Sequence, residues 1–167
     1  MYIKRLLFLL LVGVLGWNSG FGQLVLEENA LEKAAPLTLK GEHVVNTAMK
    51  YVGVRYRRGA TGPKYFDCSG FTSFVFRQKN VKLTRTSRSQ YNEGEAVKKI
   101  ADLKPGDLVF FEGSRTRGVV GHVGIVKEVH AGRGDFSFVH ASRTGVKVDV
   151  LSSAYYKKRY IGARRVF

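Results

Sequence analysis

The sequence predicts an α+β domain in which helices from the first half pack on one side of an antiparallel sheet formed by the second half. Three observations carry this. Apolar residues recur at helical spacing up to about residue 79. Beyond the Lys104-Pro105-Gly106-Asp107 turn they fall in short runs of strand length, separated by Gly- and Arg-containing turns. Glycine is frequent (19) and proline rare (3), so the chain is rich in turns yet has few breaks in its hydrogen-bonding capacity. Helices followed by a run of strands is the order of an α+β layer structure.

The elements follow in turn. Val44, Val45, Ala48, Met49 and Val52 predict a helix from Gly41 to Tyr51 that stops at Gly53. Arg55 to Lys64 holds Gly59, Gly62 and Pro63 and reads as a loop. Asp67 is placed as an N-cap, and Cys68, Phe71, Phe74, Val75 and Gln78 then predict a helix over 68–79 with one buried face. Another short helix is expected within 84–94, opened by Thr84 or Thr86 and closed by Gly94. Strands are expected over 108–112, 122–129, 136–141 and 146–151, with a basic loop at 113–118. One helical turn over 152–157 and a strand from Tyr160 to Phe167 complete the chain.

A length of 167 residues fits one domain. Residues 1–22 read as a secretory signal: Lys4 and Arg5, the apolar run Leu6 to Leu15, then Gly20 and Gly22 before a cleavage. The run is shorter than the roughly 20 residues of a membrane span, and an uncleaved anchor is the alternative. Residues 23–40 form an amphipathic lead-in, and 41–167 the folded domain. The net charge of +15 draws the chain toward polyanions: nucleic acid, anionic lipid or an acidic wall polymer. Export sets nucleic acid aside and leaves anionic envelope polymers as partners, with a monomer as the default state. The single cysteine, Cys68, excludes an internal disulfide. It lies far from the apolar run, so no lipid-bearing cysteine follows the signal, and a periplasmic or extracellular location is expected.

Three segments carry chemistry. In Asp67-Cys68-Ser69-Gly70 the cysteine opens a helix, where the positive end of the macrodipole favours the thiolate and small neighbours leave the sulfur accessible. In Gly121-His122-Val123-Gly124 a histidine framed by glycines can serve as general base. In Phe138-Val139-His140-Ala141-Ser142 a second histidine, eighteen positions on, can reach the first from a neighbouring strand and orient it; a satisfied core histidine explains that spacing equally well. His43 and His130 sit among polar neighbours and receive no role. No two of Cys68 and the histidines lie within five residues of each other, so no metal or other cofactor is expected.

Together with Leu103-Lys104-Pro105-Gly106-Asp107-Leu108-Val109-Phe110-Phe111, these segments resemble the NlpC/P60 family of cell-wall peptidases over roughly residues 40–167. Gly53-Val54-Arg55-Tyr56-Arg57 and the tail around Tyr156-Lys157-Lys158-Arg159-Tyr160 are most similar to its Spr-type murein endopeptidase branch. The resemblance implies a papain-like fold and a triad of Cys68 (nucleophile), His122 (base) and His140 (orienting residue). It implies Tyr56 near the oxyanion, Asp67 and Ser69 at the substrate, and Arg85 and Gln90 near the cleft. It implies hydrolysis of peptidoglycan peptides. The D,D cross-link is favoured, with the D-γ-glutamyl–diamino-acid bond as the alternative. A non-catalytic wall-binding module is the competing class, and thiol redox work lacks a resolving cysteine. Ala60 stands where the family usually has glycine, so a reshaped cleft entrance is expected.

Overall fold

The computed structural model describes residues 37–114 and 117–167. The expected signal and nearly all of the lead-in lie outside the described residues. Helix α1 (Leu37–Met49) begins four residues before Gly41, so the end of the expected lead-in is already helical. It is followed by α2 (Cys68–Arg77) and the single turn α3 (Ser87–Gln90). The sheet comprises β1 (Glu95–Val97), β2 (Leu108–Glu112), β3 (Val120–His130), β4 (Asp135–Ser142), β5 (Gly145–Val150) and β6 (Tyr160–Arg165). A short α4 (Ala154–Lys157) precedes β6. All strand pairs are antiparallel, in the order β1-β6-β2-β3-β4-β5. The four central strands of the sequence reading are present. The three-residue edge strand β1 is an addition, too short to leave an alternating pattern in the sequence.

Strand alternation divides the core in two. On one face Phe110, Val123, Ile125, Val139, Ala141 and Val146 pack with Val44, Ala48, Phe71 and Val75 of α1 and α2. On the other, Phe111, Val126, Phe136, Phe138 and Ala163 pack with Leu151 and Tyr156. The helices α1 and α2 thus lie on one side, as expected, while α4 closes the opposite side through Tyr156.

One ion pair ties the sheet together. Asp107 is fully buried, accepts from the Lys104 backbone N–H (2.8 Å), and receives Arg165 through Nε (2.8 Å) and Nη2 (2.7 Å). The Pro105-Gly106 turn before β2 is thereby fixed to the end of β6. Removing one partner of such a pair leaves an uncompensated buried charge. Arg165→Ala is expected to lower the unfolding free energy by about 3–5 kcal/mol, measured by urea denaturation. A loss under about 1 kcal/mol would show that the pair behaves as an exposed one.

Candidate active site

Cys68 is the first residue of α2, and Asp67 builds that helix start. The Asp67 carboxylate accepts from Gly70 N–H (2.7 Å) as N-cap and from Gly59 N–H (2.9 Å) in the preceding loop. The loop folds back on itself: Arg57 N–H donates to Phe66 C=O (2.9 Å) and Asp67 N–H to Ala60 C=O (2.9 Å). Gly70 is required here, because a Cβ would stand 2.2 Å from the Ala60 oxygen. Ala60 contributes its carbonyl to this support and is not among the residues lining the cleft.

The cleft is lined by Tyr56, Cys68, His122, Arg143, Lys147 and Tyr156, with the loop after β2 forming one wall. The backbone N–H groups of Ser69, Val123 and Cys68 itself favour the charged form of the Cys68 sulfur, Val123 being adjacent to His122 on β3. Two glycines let the strands close around the histidine. A Cβ on Gly121 would meet Gly113 Cα at 2.5 Å, and one on Gly124 would meet Phe138 at 2.7 Å and His140 Cβ at 3.2 Å.

His122 Nε2 lies 2.9 Å from His140 Nδ1, and His140 Nε2 lies 2.9 Å from Asp149 Oδ2 on β5. The tautomers follow from the carboxylate, which only accepts. His140 donates from Nε2 to Asp149, so its neutral Nδ1 is an acceptor. His122 therefore donates from Nε2 to His140, and its Nδ1 carries the free lone pair. Phe111 and Phe138 flank the two imidazoles, and the Tyr156 ring packs edge-on to His140 at 5.4 Å. Asp149 also takes Lys147 Nζ at 2.9 Å and the Tyr156 hydroxyl.

Asp149 had no role in the sequence reading. In sequence, residues 146–151 read only as a strand. The available signal was the two-residue hairpin loop Arg143-Thr144, whose register pairs Phe138 with Asp149 and His140 with Lys147. That register puts Asp149 on the face of β4 that carries His140.

The electrostatics correct one expectation. Burial pushes the Cys68 thiol above its ordinary value and Asp67 pushes the same way, and together they outweigh the helix-start N–H groups. Burial, and then the neighbouring His140, push His122 down to about 3; burial pushes His140 down to about 4 despite Asp149. Both shifts favour the neutral forms, so burial works against the thiolate that the helix-start position favours.

Of the residues expected at the oxyanion or substrate, Tyr56 lies on the cleft wall, its hydroxyl pKa raised by burial and then by Cys68. Gln90 is a correction. It is fully buried, and its amide donates to Thr84 C=O (2.8 Å), Ser73 Oγ (3.0 Å) and Ser69 C=O (3.2 Å) while accepting from Thr72 Oγ1 (2.9 Å). It staples α3 to α2 and is fully buried, out of reach of substrate. Asp67 and Ser69 are also buried, and Arg85 turns onto them: Nη2 reaches Asp67 Oδ2 at 2.6 Å and Nη1 reaches Ser69 Oγ at 3.0 Å. The three form one hydrogen-bonded group next to Cys68, with the Arg85 side chain partly exposed. His130 pairs with Asp135 (3.4 Å), away from the site.

A raised thiol pKa has a consequence for reactivity. Alkylation of Cys68 by iodoacetamide is expected to accelerate with pH up to and beyond the ordinary thiol value of 9.0, since the raised pKa delays ionisation. A rate plateau between about pH 5 and 7 would indicate a preformed thiolate–imidazolium pair.

Residues 53–165 match the model of the NlpC/P60 family. The chain is 40% identical over 116 residues to the murein DD-endopeptidase MepS/murein LD-carboxypeptidase of Escherichia coli (strain K12), covering 68% of this chain and 56% of that one. It is 39% identical over 125 residues to the gamma-DL-glutamyl hydrolase of Bacillus subtilis (strain 168), covering 73% and 28%. A crystal structure of an NlpC/P60 family protein from Bacillus cereus ATCC 10987 superposes with a TM-score of 0.65 at 31% identity, covering 75% of this chain and 39% of that one. The chain spans from 22% to 56% of the lengths of the curated relatives compared here. With two thirds of its length inside the family model and the fold shared with a solved member, the chain belongs to the NlpC/P60 family.

Proposed function

We propose that this chain is a cysteine endopeptidase that hydrolyses an amide bond in the peptide part of bacterial peptidoglycan, with Cys68 as nucleophile, His122 as base and His140 as orienting residue. The observation that carries this reading is the hydrogen-bonded line Asp149–His140–His122. It leaves the His122 Nδ1 lone pair as the free base in the cleft that holds the Cys68 sulfur. His122 Nδ1 takes the thiol proton as Sγ attacks the carbonyl carbon. The oxyanion is met by the Cys68 backbone N–H, which at the first position of α2 has no carbonyl of a preceding helical turn to bond, and by the Tyr56 hydroxyl. His122 returns the proton to the leaving amine as the C–N bond breaks, then deprotonates the water that hydrolyses the thioester. During both steps His140 and Asp149 stabilise the transient imidazolium.

The D,D cross-link is the favoured bond, supported by the resemblance of the Tyr156–Tyr160 tail and by 40% identity to a protein named murein DD-endopeptidase. The γ-glutamyl–diamino-acid bond is the second reading, supported by 39% identity to a protein named gamma-DL-glutamyl hydrolase. Export by residues 1–22 would bring the enzyme to this substrate. Purified cross-linked muropeptide dimers discriminate: release of monomers by the wild type and none by Cys68→Ala is expected. Shortened stems with intact cross-links would assign the γ-glutamyl bond. Binding to sacculi without product from the wild type would leave a non-catalytic wall-binding module.

Asp149→Ala removes the group that sets both tautomers. It is expected to lower kcat about 100-fold with little change in KM, because the carboxylate acts through His140. A fall in KM-dependent binding alone would assign Asp149 to substrate.

A further inference from the structure

Arg143 stands at the tip of the β4–β5 hairpin, between Ser142 and Gly145. That tip is fixed: Ser142 Oγ donates to Gly145 C=O (2.8 Å) and accepts from Thr144 N–H (3.2 Å). The guanidinium forms part of the cleft wall with Tyr56 and Cys68, and its charge reaches the Tyr56 hydroxyl. Nη2 donates to Ser114 Oγ (3.2 Å) on the opposite loop.

The other cation lining the cleft, Lys147, is held by Asp149 at 2.9 Å, while the Glu112 carboxylate keeps its charge and accepts Gly118 N–H at 2.7 Å. Arg85 and Arg165 are each closed on a buried carboxylate, Asp67 and Asp107. Arg143 is different. Among the described residues it has no carboxylate partner, and one neutral hydroxyl uses one of its five N–H donors. A planar fork with free donors, anchored on a fixed hairpin beside the nucleophile, matches a carboxylate in bidentate geometry.

We infer that Arg143 binds a free carboxylate on the substrate residue flanking the scissile amide, so that the site selects acidic peptides over the same peptides with that carboxylate amidated. This rests on the peptidase reading above and adds the substrate charge that the site requires. Lysine at this position keeps the charge and loses the fork; glutamine loses both.

Two synthetic muropeptides, identical except for carboxylate or carboxamide at that residue, test it. Wild type is expected to show kcat/KM about tenfold or more higher for the acid, chiefly through KM. In Arg143→Gln the ratio falls to about one, and Arg143→Lys lies between. No preference in the wild type, or a preference kept in Arg143→Gln, overturns the inference. The same pair is titrated calorimetrically into Cys68→Ala and Cys68→Ala/Arg143→Gln. Selective loss of acid-peptide binding in the double variant supports the role of Arg143 even where the wild type cleaves neither peptide, an outcome that would sink the peptidase reading alone. Equal binding by both proteins overturns the carboxylate site whatever the activity.

Discussion

The Asp67 carboxylate is the contact on which the position of Cys68 depends. It joins three separated pieces of chain: the Gly59 loop, the start of α2 at Gly70, and Arg85 before α3. The same negative charge works against ionisation of the adjacent thiol, and burial adds to it. Arg85 offsets part of this from the far side of the carboxylate. Burial lowers the basicity of His122 as well, so on the proposed mechanism the fixed tautomer and the Asp149 carboxylate behind His140 have to stabilise the imidazolium as it forms.

That base is a product of the sheet. His122, His140 and Asp149 come from β3, β4 and β5, three successive neighbours, so the line of hydrogen bonds runs across the strands. Because side chains alternate, all three share a face only in this register, and a slip of one residue in any pairing would turn one member away. Gly124 makes the β3–β4 approach close enough. The two cores meet at the cleft. Cys68 packs with the helix-side cluster, while the histidines are held by aromatic side chains of the opposite one.

The sequence made much of this legible because its signals are local. Asp67 before an apolar helical stripe located the N-cap, and alternating apolar residues located the long strands. His122 could be picked out by its glycines, whose need proved steric, as their Cβ positions are already occupied. What stayed hidden depends on contacts between distant segments. Whether His140 was a partner or a core residue turned on register. Asp149 resembled any polar residue on a strand. Gln90 looked available for substrate because a polar side chain in sequence does not announce that four neighbours will hold it. The thiol pKa shifts upward because burial, absent from a helix-dipole argument, penalises the charged form.

Strand β5 closes one side of the sheet, and it serves two masters. Its inner edge pairs with β4 and presents Asp149 to His140. At Val146 its outer edge exchanges backbone hydrogen bonds with Gly53 and Val54 (2.8 Å each), two residues before Tyr56. Local opening of an edge element is easier than global unfolding. Lifting β5 would therefore withdraw the Asp149 carboxylate from His140 and the Tyr56 hydroxyl from Cys68 in one event.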